Sequence, residues 1–440
     1  MPLKKNLVRI ICLLAFFTIM SLPAVTGNVS QIDNDEEAFA NPCSVENLNP
    51  HTDNLDYLNL DVDDVDGKTR INQLQYLGTH NSYYIQPENA LLNRLRLISP
   101  AIAREFEYTH EPLDVQFDDQ QIRQVELDIF VDREGGRYAH RAGKLLLTRN
   151  PYTGIPELEE PGYKLMHIPH IDYRTHYLTF IEGLEAIKDW SQDNPGHLPI
   201  FVLVELKGDL SDELEELPLP LQFIINAGRF VADLVGVPVN LPPPTEPRDM
   251  DDLDEEILSV FHEDQIIIPD DVRGEYETLN KALQEKGWPT IEEARGKVMF
   301  LLDNECRIRD LYLEDNPTLE GRILFTSSKP DKPSAGFIKL NDPRDNNKEK
   351  IREYVEKGYL IRTRADGGEE RREREIGAER RNAAFQSGAH FISTDFPEPS
   401  DWGYIARLPG AEDKPARCNP VSPPPGCDPE NPPSGCNPAR

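Results

Sequence analysis

The chain is short of positive charge. Its 440 residues carry 47 Lys and Arg against 78 Asp and Glu, a formal net charge of −31. That balance argues against nucleic acid as a partner and favours attraction of cations. An anionic lipid remains compatible, provided that a metal or a local basic cluster offsets the repulsion. Cysteine is sparse, at six residues, and its spacing matches no zinc pattern. Long apolar runs are also missing, apart from Ile10 to Met20, which is too short to span a bilayer comfortably.

That run follows Lys4, Lys5 and Arg9 and precedes the small residues Ala24, Thr26 and Gly27. The pattern is that of a signal peptide over residues 1–27, with secretion or another extracytoplasmic location as the expectation. Cys12 would leave with it. Cys43, Cys306, Cys418, Cys427 and Cys436 would remain, an odd number in an oxidising compartment. Disulfides are expected there, with connectivity unreadable and at least one thiol free or paired to another molecule. Residues 28–71 form a polar lead-in. Its DVDDVDG run at 61–67 puts Val62 where a calcium loop needs its first carboxylate, so it reads as a solvated segment.

From 72 to about 410 the chain alternates strand and helix. Continuous apolar runs stand at 74–78, 124–131, 200–206, 298–303, 323–327, 359–364 and 390–394, with QIII at 265–268 a weaker eighth. Such runs suit strands buried on both faces of a parallel sheet. Residues 178–191 and 369–387 read as helices, the second as a charged, exposed one. Leu91, Leu92, Leu95, Leu97 and Ile98 form a helical apolar stripe, either core or a membrane-facing ridge. The whole predicts an α/β fold, a TIM-type (β/α)8 barrel with room for distortion. Residues 209–256, acidic and rich in Pro, read as an insertion. Residues 411–440 read as an extended Cys/Pro tail, either a spacer or a disulfide tether to a partner.

In such a barrel, polar residues at the C-terminal ends of strands line the mouth. The first strand delivers Thr79, His80, Asn81 and Ser82. The second holds Glu126 and Asp128, and a later one Glu205 and Lys207; each pair shares one face. Two carboxylates on one buried face repel unless a cation joins them, either a metal or a Lys or Arg. Asn81, Glu126, Asp128 and Glu205 form an all-oxygen set that suits Ca2+ or Mg2+ over Zn2+. His140 lies twelve residues after Asp128. His167, His170 and His176 invite a zinc reading, but Pro169 breaks any helix that would align them. Asp172 and Arg174 would line the mouth or fix the loop instead.

GTHNSYY at 78–84, VELDIF at 125–130 and HIPHIDYRTH at 167–176 resemble the calcium-dependent phosphoinositide phospholipase C family of secreted microbial enzymes. So do IIIPDDVRG at 266–274, GWPTIEEARGKVMFLLD at 287–303 and GYLIRTRAD at 358–366 with GAHFISTDFPEP at 388–399. These motifs occur in the family's order from residue 72 to about 400. The resemblance implies a phospholipid substrate at a membrane surface, cleaved to diacylglycerol and a cyclic inositol phosphate. It implies Ca2+ held by Asn81, Glu126, Asp128 and Glu205, His80 at the phosphoryl group and His140 as general acid. Lys207 is the candidate phosphate or inositol contact, with Arg364 a second. Two alternatives stay open. One is a glycerophosphodiester phosphodiesterase-like hydrolase on soluble substrates, and the other a non-catalytic, tethered surface protein.

Overall fold

Runs of Val, Ile, Leu and Phe without polar interruption form the strands, because both faces of each strand are covered. The computed structural model describes residues 68–147, 149–208, 240–373, 378–425 and 427. The expected signal peptide over 1–27, the lead-in up to residue 67, residues 209–239 and the end of the tail lie outside the described residues.

The principal strands are β1 (Leu74–Thr79), β2 (Gln124–Phe130), β3 (Lys164–Leu165), β4 (Ile200–Lys207), β5 (Ile266–Ile267) and β6 (Val298–Leu302). They are followed by β7 (Phe325–Thr326), β8 (Phe337–Lys339), β9 (Leu360–Arg364), β10 (Phe391–Thr394) and β11 (Ala416–Cys418). Parallel pairing runs β8-β9-β10-β1-β2-β4-β6-β7. A parallel bridge from Ser327 to Phe337 joins the ends, so eight staves form a ring. This is the TIM-type α/β barrel expected from the sequence.

Two staves differ from expectation. QIII pairs only at the foot of β6, through Ile266 and Ile267. The eighth stave is β8, a three-residue strand after a Pro- and Gly-rich stretch, too short to produce an apolar run. The expected 209–256 insertion also ends inside the fold. Pro247–Val260 is a helix whose Met250, Leu253 and Ile257 are buried in the core. The tail is likewise partly structural: β11 pairs antiparallel with β1 in the register Leu74–Cys418 to Tyr76–Ala416. Arg417 is buried there, donating to Gln75 Oε1 at 2.8 Å and to the Phe385 carbonyl at 3.1 Å. Cys418 and Cys427 form a disulfide, so these two thiols close on each other rather than on a partner. Cys306 is an exposed free thiol, and Cys43 and Cys436 lie outside the described residues.

Helices flank the ring. In α1 (Asn89–Ile98), Leu91, Leu92 and Leu95 are buried, Leu92 and Leu95 packing against Ile102, Phe106 and Ile171, while Leu97, 55% exposed, faces out. Most of the apolar stripe is therefore core. The helix expected at 178–191 runs over Phe180–Asp193 (α2), started by Thr179, whose side chain accepts from the Glu182 amide. The stretch expected as one exposed helix over 369–387 contains α3 (Gly368–Glu373) and α4 (Ala378–Ser387). Glu370 and Arg371 are buried rather than exposed, because Glu370 faces Arg344 and Arg380, and Arg371 reaches Asp395.

The barrel interior is layered by strand alternation. At its floor, Phe201 packs against Tyr76 and Phe391, with ring centroids at 5.0 and 4.5 Å. One step up, Gln124 crosses the barrel over Gly78 and accepts from Ser393 Oγ. A Cβ on Gly78 would stand 2.0 Å from Gln124 Oε1. Gly78→Ala must therefore displace Gln124 from Ser393. A loss of about 1–3 kcal/mol in stability is expected, read as a lower urea midpoint with an unchanged slope; an unshifted midpoint would contradict this packing.

Candidate active site

The loop after β1 is built by hydrogen bonds to neighbouring elements. His80 is followed by Asn81 at φ 50°, a left-handed conformation that Asn tolerates better than most residues. Ser82 then bonds back to β2: its amide donates to the Glu126 carbonyl at 2.9 Å, and its hydroxyl accepts from the Glu126 amide at 2.8 Å. Gln116 donates to the Ser82 carbonyl at 2.7 Å, and His110 donates to the His80 carbonyl at 2.8 Å. The turn points the side chains of His80 and Asn81 into the mouth.

His80 Nδ1 stands 2.8 Å from Asp395 Oδ1, which places the proton on Nδ1 and leaves Nε2 as the acceptor. Asp395 also receives Arg371, and Arg364 at 3.3 Å. The Arg364 guanidinium stands 3.2 Å from both ring nitrogens of His80. Burial, then the charges of Arg364, Arg362 and Arg371, hold the His80 pKa well below its ordinary value. Its imidazole is thus neutral through the physiological range. His80 Nε2 lies 3.8 Å from Glu126 Oε1.

Carboxylates converge beside it. One oxygen each from Glu126, Glu205 and Asp303 lie within 4.8 Å of one another. Asp128 shares the inward face of β2 with Glu126, and its register partner is Glu205. Burial raises Glu126 to about 7 against the pull of Arg362, and raises Asp128 well above the carboxylate range against the pull of Lys207. Although burial opposes it, Lys207 and Lys339 hold Glu205 at about 2. Arg362 is 1% exposed and reaches Glu126 Oε2, Ser393 Oγ and Asn341 Oδ1. Lys207 Nζ lies 2.8 Å from Glu205 and 3.4 Å from Asp128; Lys339 Nζ lies 2.8 Å from Asp303.

This donor set fits a hard divalent cation. Asn81 is 1% exposed, its amide nitrogen donates to the Tyr108 hydroxyl at 3.1 Å, and its Oδ1 has no hydrogen-bond partner. Asp303 Oδ1 is likewise buried without one. Buried lone pairs of this kind are costly unless something accepts them, and all are carboxylate or amide oxygens.

The structure brings together His80, Asn81, Glu126, Asp128, Glu205, Lys207 and Arg364. The His140 ring lies 5.3 Å from that of Tyr152, tilted by 47°, and its carbonyl accepts from His170 Nδ1 at 3.1 Å. His167, by contrast, pairs Nδ1 with Asp172 Oδ2 at 2.6 Å and sets its ring edge-on to Tyr84. His170 and His176 meet main-chain carbonyls of His140, Asn240 and His110, which accounts for them as loop supports. Asp303, Lys339, Arg362 and Asp395 were not assigned from sequence. Asp303, Arg362 and Asp395 each end or interrupt an apolar strand run, whereas Lys339 stands on the short β8 and carries no such signal.

Arg364 generates a test. Removing its charge in Arg364→Met relieves repulsion on the His80 imidazolium, so the His80 pKa rises toward 6.5 in an NMR titration of the ring. The acidic limb of any activity that needs neutral His80 moves up with it. An unmoved titration would contradict the stacking.

The family model for Ca2+-dependent phosphoinositide phospholipase C matches residues 69–420. No curated protein matches the chain. Among solved structures, the calcium-dependent phosphoinositol-specific phospholipase C of a Gram-negative Pseudomonas species is similar at 16% identity, covering 75% of this chain and 93% of that one, with a TM-score of 0.43. The Ca2+-dependent phosphatidylinositol-specific enzyme of Streptomyces antibioticus is similar at 14% identity, covering 75% and 95%, with a TM-score of 0.41. With a family match over most of its length, this chain belongs to the Ca2+-dependent phosphoinositide phospholipase C family.

Proposed function

We propose that the chain cleaves phosphatidylinositol-type lipids at a membrane surface, in a Ca2+-dependent reaction giving diacylglycerol and a cyclic inositol phosphate. The observation that carries this reading is the meeting of the His80–Asp395 pair with buried oxygen donors, including the unpartnered Asn81 Oδ1. Asn81, Glu126, Asp128 and Glu205 are the proposed metal ligands, with Asp303 added from the cluster. When bound, the ion would lower the pKa of the attacking 2-hydroxyl and offset charge on the phosphoryl oxygens.

The chain's own residues supply the rest. Asp395 fixes the His80 tautomer, so Nε2 can take a proton or contact the phosphoryl group. Glu126, raised to about 7 and 3.8 Å from that nitrogen, is a second proton acceptor in the ordinary working range. Arg364 and Lys207 are the contacts for the phosphodiester. His140 is the proposed general acid for the leaving oxygen, with His167, its tautomer set by Asp172, a second candidate. The extracytoplasmic location fits the Cys418–Cys427 disulfide, which persists in oxidising compartments.

Diacylglycerol release from phosphatidylinositol micelles should be abolished by EDTA and restored by Ca2+; release indifferent to chelation would overturn the reading. Identification of the water-soluble product separates the alternatives, because glycerol 3-phosphate from a soluble diester would favour the phosphodiesterase. His80→Ala and His140→Ala should each lower kcat by about 10²–10⁴-fold. If His140→Ala retains most activity while His167→Ala loses it, the acid role passes to His167.

A further inference from the structure

We propose that Lys207 is a resident counter-ion of the metal cage, occupying its carboxylates in the metal-free protein and yielding them to an entering divalent cation. This rests on the calcium reading above. Glu126, Asp128, Glu205 and Asp303 bring four carboxyl groups to one end of the barrel, and Lys207, Lys339 and Arg362 bring three cations. Buried carboxylates at this spacing would repel strongly without them, so the cations let the barrel close before any metal arrives.

The three cations are not equivalent. Arg362 is locked by Glu126, Ser393 and Asn341 at 1% exposure, and its removal would strip the barrel's central layer. Lys339 is held on Asp303. Lys207 bridges two expected ligands, Glu205 and Asp128, at 2.8 and 3.4 Å. It sits at the last position of β4, two residues beyond Glu205 on the same face, with its side chain 17% exposed. A lysine stem is long and flexible and gives its ammonium a route to the mouth.

An ammonium and a dication cannot share the same carboxylate oxygens, because their repulsion would cancel much of the attraction that holds each. Entry of the ion therefore releases Lys207. The freed ammonium stands at the mouth, where a phosphodiester would meet it. Metal binding and the substrate contact of Lys207 thus become sequential uses of one side chain. The cost of displacing Lys207 lowers the affinity for the metal, while the metal-free fold is preserved.

Calorimetric titration of the full chain with CaCl2, alone and without substrate, tests this directly. Lys207→Met should bind Ca2+ about tenfold or more tightly than the parent, since a unit positive charge a few ångströms from the ion is gone. Lys207→Arg, which keeps the charge, should stay within about threefold of the parent. In EDTA, Lys207→Met should melt below the parent and gain more on adding Ca2+. If the variant loses its fold in EDTA, recovery of its circular dichroism on adding CaCl2 supports the exchange, and failure to recover overturns it. If the parent binds Ca2+ while Lys207→Met binds equally or more weakly, the counter-ion role falls and the calcium reading stands. If only Lys207→Met binds, the lysine is the competitor. If neither binds at millimolar Ca2+, both readings fall together.

Discussion

Four carboxyl groups at one end of a parallel barrel, three buried and Glu205 partly exposed, impose the constraint from which much of this structure follows. Each charge on Glu126, Asp128, Glu205 and Asp303 costs free energy in proportion to the water it loses, and each makes its neighbours' ionisation harder. The barrel answers with a cation opposite each approach: Arg362 on Glu126, Lys207 across Asp128 and Glu205, and Lys339 on Asp303. Removing water makes the same arrangement electrostatically strong, which is the condition under which a bound ion or a phosphoryl group feels it most. Stability and chemistry thus draw on one charge balance, and neither can be altered without the other.

The two histidine–aspartate pairs extend that logic to protons. His80 on Asp395 and His167 on Asp172 each have Nδ1 committed to a carboxylate, so only Nε2 is available to a substrate. The surroundings then separate their behaviour. Arg364, Arg362 and Arg371 act with burial to keep His80 neutral. Asp395 is shared by His80, Arg364 and Arg371, so it orients the imidazole without being able to draw it into the charged form. A neutral, oriented imidazole is the state that proton acceptance at Nε2 requires.

The supporting parts are local and ordinary. The floor of the barrel is aromatic packing among Tyr76, Phe201 and Phe391. Gln124 and Ser393 separate that floor from the charged mouth, and Gly78 leaves room for Gln124 to cross. The antiparallel β11 covers β1 at the same end as the floor, so the last part of the fold braces the strand that delivers His80.

Most of the staves were legible in the amino-acid sequence, because strands buried on both faces must be continuously apolar and such runs are visible. β8 was not, since three residues between polar stretches carry no period. Glu126, Asp128 and Glu205 were legible for the complementary reason: a carboxylate inside an apolar run is anomalous wherever it is found. Composition and spacing could not decide what stands opposite them. Arg362 lies 236 positions from Glu126, Asp395 lies 315 from His80, and Lys339 lies 36 from Asp303. Closure of the ring alone makes them neighbours. Strand identity and inward-facing charge were properties of the sequence by itself, because burial leaves a local pattern. Pairing, tautomer and counter-ion were decided by the tertiary structure, because they depend on contacts between residues far apart in the chain.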